Sequence, residues 1–578
     1  YADLFNKPLA KKNQITEEDL VNYLRGDKSK STAAGGPFRT RASLLGDMVH
    51  SSPLYIGPPN QYYSEPSYAL FSQSLAKRTP MVAVGSNDGM VHIFSAKNGA
   101  PLLSYVPSNS TVWNQLGYLA APNYDHRFYV DGELDSGDVY FDSDQKWHTV
   151  LAGVLRSGGQ GLYALDITEG LFSESSPSPE TTALLEFNDR DDPDMGYVFG
   201  KPHIVKMSNN KWAIITGNGY NSGKLTYPSG DSDPYISSNK KAYLFILFIE
   251  QGKDGVWTPD TDYIKIPVGT SNDNGLAEVF PVDNDSDLKV DYIYAGDLDG
   301  KIYKFDVRDK DPLNWKKAEN IKVVFETSNA DGQQVITTPL MVGPHPNGLQ
   351  YGMMVYFGTG KQIELSDNLK SNQPTQAFYG IWDENKSNTP TLVGYANLLQ
   401  QSILAENNDM RASTDNKIDW TKHKGWYMKL ELDGANRGEK VIGSPKLHNG
   451  RIIFTTLIPS GSSDLSVCSS NIGTSWLMEL NASDGSRLGI PPYDVNGDGL
   501  FTQADYIYYI DPVTKKEVSV PHSGIKSSVG VLGGTPGILM DASNTIEYKV
   551  LSGSNGITTQ GESVIQTNEG RQSWQEVY

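Results

Sequence analysis

A strand–turn–strand unit recurs along most of this chain, and it limits the fold more than any other feature. An apolar strand is followed by a glycine-rich turn with Asp or Asn, then by an aromatic strand ending near Asp. MVAVGSNDGMVHIFSAKNG (81–99) is the clearest copy, and HTVLAGVLRSGGQGLYALDITEG (148–170) is another. KWAIITGNGYNSG resumed by KAYLFILFIE, DYIYAGDLDGKIYKFDV (291–307), MMVYFGTGKQIE with AFYGIWDEN, and RIIFTTLIPSG with SWLMELNASDG continue the series. SVGVLGGTPGILM with EYKVLSGSNG completes it. Each unit has a sheet face it cannot bury alone, and radial stacking buries it. The expected class is all-β: a modified seven-bladed β-propeller with long insertions, each blade taking roughly 40–50 residues. Stretches 221–240 and 385–416 lack strand alternation and read as insertions, and SPLYIG near the start is a candidate closing strand. Two β-sandwiches are the competing architecture.

Ahead of the repeats, ITEEDLVNYLRGD predicts a short helix. Thr16 is its N-cap, Asp19 the capping-box partner, Ile15 and Leu20 a hydrophobic staple, and Gly26 the stop. KSKSTAAGGPF then reads as a flexible link. The domain expectation is an N-terminal helix and linker over 1–40 and a single propeller domain over 41–578.

Composition supports short strands and tight turns: 32 Tyr and 56 Gly in 578 residues. The formal net charge is −19, from 49 basic and 68 acidic residues, which argues against nucleic acid and anionic lipid and suits a protein that binds cations. One cysteine, Cys468, excludes an intrachain disulfide and a cysteine zinc site. No apolar run reaches membrane-spanning length. YADLFNKPLA reads as the inside of a longer protein, with any targeting segment upstream.

The charge is concentrated in loops. Residues 283–291 read DNDSDLKVD. Alternate residues of a tight loop can turn their oxygens inward, so Asp283, Asp285 and Asp287 can converge, with the Lys289 carbonyl adding an oxygen and Asp291 closing the site. Such a set of hard oxygen ligands suits Ca²⁺, while Mg²⁺ wants stricter geometry and zinc wants imidazole or thiolate. The loop is not an EF-hand: it closes at the ninth position, and Leu288 stands where that motif has glycine. A second loop, DVNGDGLFTQAD (494–505), follows the EF-hand pattern more closely, offering Asp494, Asn496, Asp498, the Leu500 carbonyl and Asp505 as a possible second Ca²⁺ site. A third acidic stretch, NDRDDPDMG, is interrupted by Arg190 and Pro193 and reads as a solvated turn.

Signals for catalysis are missing. There is no H-E-x-x-H and no G-x-S-x-G, and GNGYNSGKL fails as a phosphate loop because Leu225 stands where Ser or Thr would hold Mg²⁺. Cys468, in a Ser/Gly-rich stretch, reads as a bystander. Arg25, Gly26 and Asp27 spell the short motif that integrins recognise, although Gly is also the usual helix stop.

FRTRASLLGDMVHSSPLYIGPP, DHRFYVDGELDSGDVYF, QGLYALDIT, VDYIYAGDLDGKIYKFDV and the closing GRQSWQEV, with the repeats above, resemble the C-terminal domain of the PilC/PilY family of bacterial type IV pilus tip proteins. The resemblance runs in order over nearly the whole chain. It implies a seven-bladed propeller and calcium at Asp283, Asp285, Asp287, the Lys289 carbonyl and Asp291, with the metal controlling pilus extension and retraction. It also implies twitching motility, adhesion to a host-cell receptor, contact with pilus subunits or minor pilins, and a place at the pilus tip on the bacterial surface. The expectation is a non-enzymatic protein. The alternatives are a quinoprotein-type propeller dehydrogenase and a calcium-dependent carbohydrate-binding propeller.

Overall fold

The computed structural model describes residues 16–173, 181–222, 237–328, 332–369, 373–385, 392–461, 473–511, 514–541 and 546–564. Strands dominate it. Leu54–Ile56, Met81–Ser86, Met90–Ser95 and Pro101–Tyr105 form a four-stranded antiparallel sheet in chain order. Leu134–Phe141, Lys146–Val154, Gly161–Asp166 and Ala183–Asn188 form the next, and His203–Lys206, Trp212–Gly217, Ala242–Phe248 and Tyr263–Val268 the third. Leu276–Val282, Tyr292–Asp297, Lys301–Asp306 and Ile321–Glu326 follow in a fourth sheet of the same order. A five-stranded sheet around Met353–Gly358 and Ala377–Asp383, a six-stranded sheet around Arg451–Pro459 and Gly473–Asn481, and a three-stranded sheet of Gly537–Met540, Ile546–Gly553 and Gly556–Ser563 complete the series. Among the described residues that makes seven sheets of three or more strands, the blade number of the expected propeller class.

The central strands read as continuous apolar runs, as strands buried on both faces must. Ala242–Phe248 is buried at every position, and so is Met353–Gly358. The chain divides into two compact units. The first runs to Tyr292 and includes Asp306–Asn320. Its core is aromatic: Tyr63 stacks on Trp147 at 5.1 Å, and Phe187 meets Trp257 edge-on at 5.0 Å. The second unit holds Ile293–Phe305 and Ile321–Glu576. There Phe378 and Phe454 stack at 3.9 Å, and the buried Trp426 donates its Nε1–H to the Ala482 carbonyl at 3.1 Å. Gly485, at φ +70°, lies against that indole: a Cβ there would come within 2.2 Å of the ring.

The N-terminal helix is Glu17–Leu24, with the expected capping box: Thr16 Oγ1 accepts from the Asp19 amide at 3.1 Å and Asp19 Oδ2 from the Thr16 amide at 2.9 Å. Ile15, the other half of the staple, lies outside the described residues. The helix stops where Gly26 takes φ +114°. Three expectations need correction. The segment read as a flexible link folds back on the helix: the Phe38 amide donates to the Lys30 carbonyl, and Phe38 is buried against Tyr23 at 4.9 Å. SPLYIG supplies the edge strand of the first sheet, pairing Leu54 with Ala83. The stretch 385–416 is not an insertion, because Leu399–Gln401, Ile403–Asn407 and Met410–Ser413 lie in it and join two sheets. Those strands are short and polar, and Arg411, fully buried, is paired with Glu406 and Glu439 at 2.7 Å each, so no apolar alternation announces them. Two further short helices, Pro66–Ser74 and Ser110–Leu116, were also not expected. Most of 221–240, and Cys468, fall outside the described residues.

Phe454→Ala removes one side of the closest aromatic stack among the described residues and should cost about 3–5 kcal/mol. Urea denaturation of the variant against the parent measures it.

Candidate metal centre

The first acidic loop leaves the strand Leu276–Val282 and returns at Tyr292. Its main-chain amides turn inward onto its own carboxylates. Asp283 Oδ1 accepts from the Ser286 amide at 2.7 Å and Oδ2 from the Leu288 amide at 2.8 Å. Asp285 accepts from the Asp287 amide at 3.2 Å, Asp287 from the Lys289 amide at 2.9 Å, and Asp291 from the Asn284 amide at 2.8 Å. The loop is fixed to its surroundings at its far end. The Val290 amide donates to the Lys206 carbonyl at 3.0 Å, and the Ser208 hydroxyl donates to the Val290 carbonyl at 3.1 Å.

This folding brings one carboxylate oxygen each from Asp283, Asp285 and Asp287 within 4.8 Å of one another. Burial pushes the Asp283 carboxyl above its usual range, as do the charges nearby, against the pull of the amides that bind it. Burial raises Asp291 too, and the charges of Asp285, Asp283 and Asp287 add to it. One cation answers from within: Lys289 Nζ lies 3.1 Å from Asp287 Oδ2, half out in solvent. The donor set is all oxygen and net negative, which fits a hard divalent ion such as Ca²⁺.

The turn needs positive φ at two places, Ser286 at +65° and Leu288 at +66°. Leu288 stands where glycine would adopt that conformation without cost. This is the sixth position of the loop, where the EF-hand motif has its glycine.

The second acidic loop repeats the same frame. Asp494 Oδ1 accepts from the Gly497 amide at 2.7 Å and Oδ2 from the Gly499 amide at 2.8 Å. Asn496 accepts from the Asp498 amide, Asp498 from the Leu500 amide, and Asp505 from the Val495 amide, at 2.9, 2.8 and 3.0 Å. Position for position these are the bonds of the first loop, with Gly497 and Gly499 at φ +78° and +75° in place of Ser286 and Leu288. Asp505 comes from a longer excursion. It is fully buried and caps a 3-10 turn, Gln503–Asp505, in a capping box with Thr502. Among the described residues, only the first loop gathers three carboxylates within 4.8 Å.

The third acidic stretch is not a solvated turn. Asp189, Asp192 and Asp194 are buried. Lys265 Nζ sits 2.8 Å from both Asp192 and Asp194, the Tyr263 hydroxyl donates to Asp192 at 2.7 Å, and the Ser237 hydroxyl to Asp194 at 2.5 Å. An ammonium fills the place where a metal would go. Lys265 lies some 70 residues away along the chain, so no local pattern could reveal it. Burial pulls the Lys265 pKa down, but the two carboxylates raise it above its ordinary value overall. On the lysine side the contribution is therefore fully present below pH ~10.5 and is lost as the pH rises above that.

At the integrin-like motif, Arg25 and Asp27 are exposed on either side of Gly26. The Gly26 and Asp27 amides donate to the Tyr23 and Asn22 carbonyls, the pattern of a helix stop. The Asp27 carboxylate accepts from the amide and hydroxyl of Ser29 at 2.8 Å each, bonds that hold its pKa below the usual range.

A blade-built all-β chain carrying oxygen-lined acidic loops is the class these features define. The family model of the PilY1 beta-propeller domain matches residues 45–417, and the chain belongs to that family. A type IV pilus biogenesis factor PilY1 homolog of Xylella fastidiosa is 35% identical over 513 residues, covering 82% of this chain and 32% of that protein. The type IV pilus biogenesis factor PilY1 of Pseudomonas aeruginosa strain PAK is 31% identical over 608 residues, covering 97% of this chain and 47% of that protein. The chain thus spans less than half the length of these relatives. Among solved structures, the Pseudomonas aeruginosa PilY1 C-terminal domain aligns with a TM-score of 0.66 at 26% identity, over 89% of this chain and 99% of that one. Among the described residues, no helix is long and apolar enough to cross a membrane.

Lys265→Met should leave Asp192 and Asp194 facing each other and destabilise the protein by about 3–5 kcal/mol at pH 7. Part of that loss should return as the pH falls toward 4, because two facing carboxylates protonate readily. Urea unfolding of both proteins at the two pH values tests the sign.

Proposed function

We propose that this chain is the calcium-responsive propeller domain of a type IV pilus biogenesis protein, acting at the pilus on the bacterial surface as a binding and regulatory element and not as an enzyme. The observation that carries it is the convergence of Asp283, Asp285 and Asp287 on a loop that main-chain amides have already shaped. Membership of the PilY1 propeller family and the printed names of the relatives supply the pilus context. Asp283, Asp285, Asp287, the Lys289 carbonyl and Asp291 would hold Ca²⁺ in the first loop. Asp494, Asn496, Asp498, the Leu500 carbonyl and Asp505 would hold it in the second. Bound calcium supplies positive charge that offsets the mutual repulsion of the carboxylates.

The consequence for function is electrostatic. Without the ion the loop's carboxylates repel and the loop loosens; with it the loop is fixed at Val290 against the segment 206–208. That alters the surface offered to pilus subunits or minor pilins, and through them extension, retraction and twitching motility. Adhesion to a host receptor belongs to the same reading, with the exposed Arg25 and Asp27 as a candidate contact.

Asp291→Ala should lose one calcium per chain by calorimetry and change the number of surface pili in cells. Unchanged binding and unchanged piliation would overturn the proposal. Leu288→Gly should raise calcium affinity by up to about thirtyfold, because glycine adopts the required positive φ without the ~1–2 kcal/mol penalty of a branched residue. Titration of the purified variant beside the parent measures the shift.

A further inference from the structure

The second acidic loop is joined to the three-stranded sheet that ends the described chain. Asp494 offers the loop's first carboxylate, and its main chain is in register with the strand Gly556–Ser563. The Asp494 amide donates to the Gly561 carbonyl at 3.1 Å, and the Ser563 amide donates to the Pro492 carbonyl at 3.1 Å. Tyr493 bridges to Glu562, and the Gln560 side chain donates to the Asp494 carbonyl. At the loop's other end the Asp505 carbonyl lies 2.8 Å from His522 Nδ1. His522 is fully buried and stacks on Tyr493 at 5.7 Å. Both ends of the loop therefore rest on one Tyr493–His522 pair, and one end is hydrogen-bonded to the last strand.

The sheet itself is docked in an unusual way. Its inward face carries charge: Glu547, Lys549 and Glu562 are all buried. Arg451 of the neighbouring sheet binds Glu562 at 2.5 Å, Glu479 at 2.6 Å and the Ser563 carbonyl at 2.9 Å. Lys549 closes the network on Glu547 and Glu562. The outward face carries exposed Leu539, Tyr548 and Ile557. The apolar cluster beneath is small, with Leu551, Leu532 and Val529 against Ile453, Leu477, Tyr493 and Ile525. Buried ion pairs pay heavily in desolvation and contribute little net stability. A sheet held mainly by them opens more readily than one with a large apolar face.

We infer that calcium in the loop 494–505 governs the docking of the closing sheet 537–563: the filled loop fixes Asp494 and the last strand together, and the empty loop releases them. This rests on the second loop's being a calcium site, as proposed above. The calcium-dependent surface would then include the outward face of that sheet, far along the chain from the first loop.

Hydrogen exchange read by mass spectrometry, on the whole chain in calcium and in chelator, tests it. With calcium at about ten times its dissociation constant, segment 546–563 should exchange about tenfold more slowly. Asp498→Ala is the diagnostic variant, because among the described residues the Asp498 side chain bonds within the loop alone, to the Leu500 amide and the Asn496 side chain. It should lower calcium stoichiometry by one and abolish the calcium dependence of 546–563. Asp498→Asn, which keeps one oxygen, should do the same more weakly. Gln560→Ala, which leaves every ligand in place, should keep the stoichiometry and reduce the protection. If Asp498→Ala binds as many ions as the parent, the second loop is not a site and the premise fails. If it loses one ion while 546–563 exchanges alike with and without calcium in the parent, the site stands and the coupling is overturned.

Discussion

Repulsion between carboxylates on a tight turn is the constraint around which both acidic loops are built. Each loop meets it first with its own main chain: amides of the fourth and sixth positions point at the first carboxylate, and later amides serve the others. Hydrogen bonds to a charged acceptor are among the stronger ones, yet they do not neutralise the charge. The remaining field is visible at Asp283 and Asp291, whose carboxyls are pushed up by burial and by their neighbours. Asp192 and Asp194 show the other solution, with Lys265 supplying a fixed cation. One chain thus contains an acidic cluster with a cation between its carboxylates and two with more negative charge than their own residues offset, Lys289 at the rim of the first loop answering only Asp287.

Much of the fold was legible because a strand buried on both faces has to be a continuous apolar run. Trp212–Gly217 and Tyr292–Asp297 are such runs, and each was seen as part of a repeat. The elements that were missed break that rule. Met410–Ser413 buries an arginine through ion pairs with Glu406 on the adjacent strand and with Glu439, which lies further along the chain, so a charge stands where an apolar residue would mark a buried strand. The segment after the first helix has the Gly and Ser content of a flexible link, yet one residue, Phe38, anchors it against Tyr23.

The candidate ligands could be named from spacing alone, since alternation in a turn is a local property. What spacing could not give was their support. Lys206 and Ser208, which hold Val290, and His522 and Gln560, which hold the second loop, approach from other elements. The third cluster has the local pattern of a solvated turn for the same reason: its counter-ion, Lys265, is on a strand that no motif links to it. Local chemistry is written locally, and long-range compensation is not.

The two loops share a frame and differ in the residues at its left-handed turns. One places serine and leucine there, the other two glycines. Backbone freedom and ligand charge both differ between them, so under the proposed function their loading thresholds would be separate. A chain with two such thresholds would report the ion in steps, with intermediate concentrations producing a half-set state in which one loop is fixed and the other is loose.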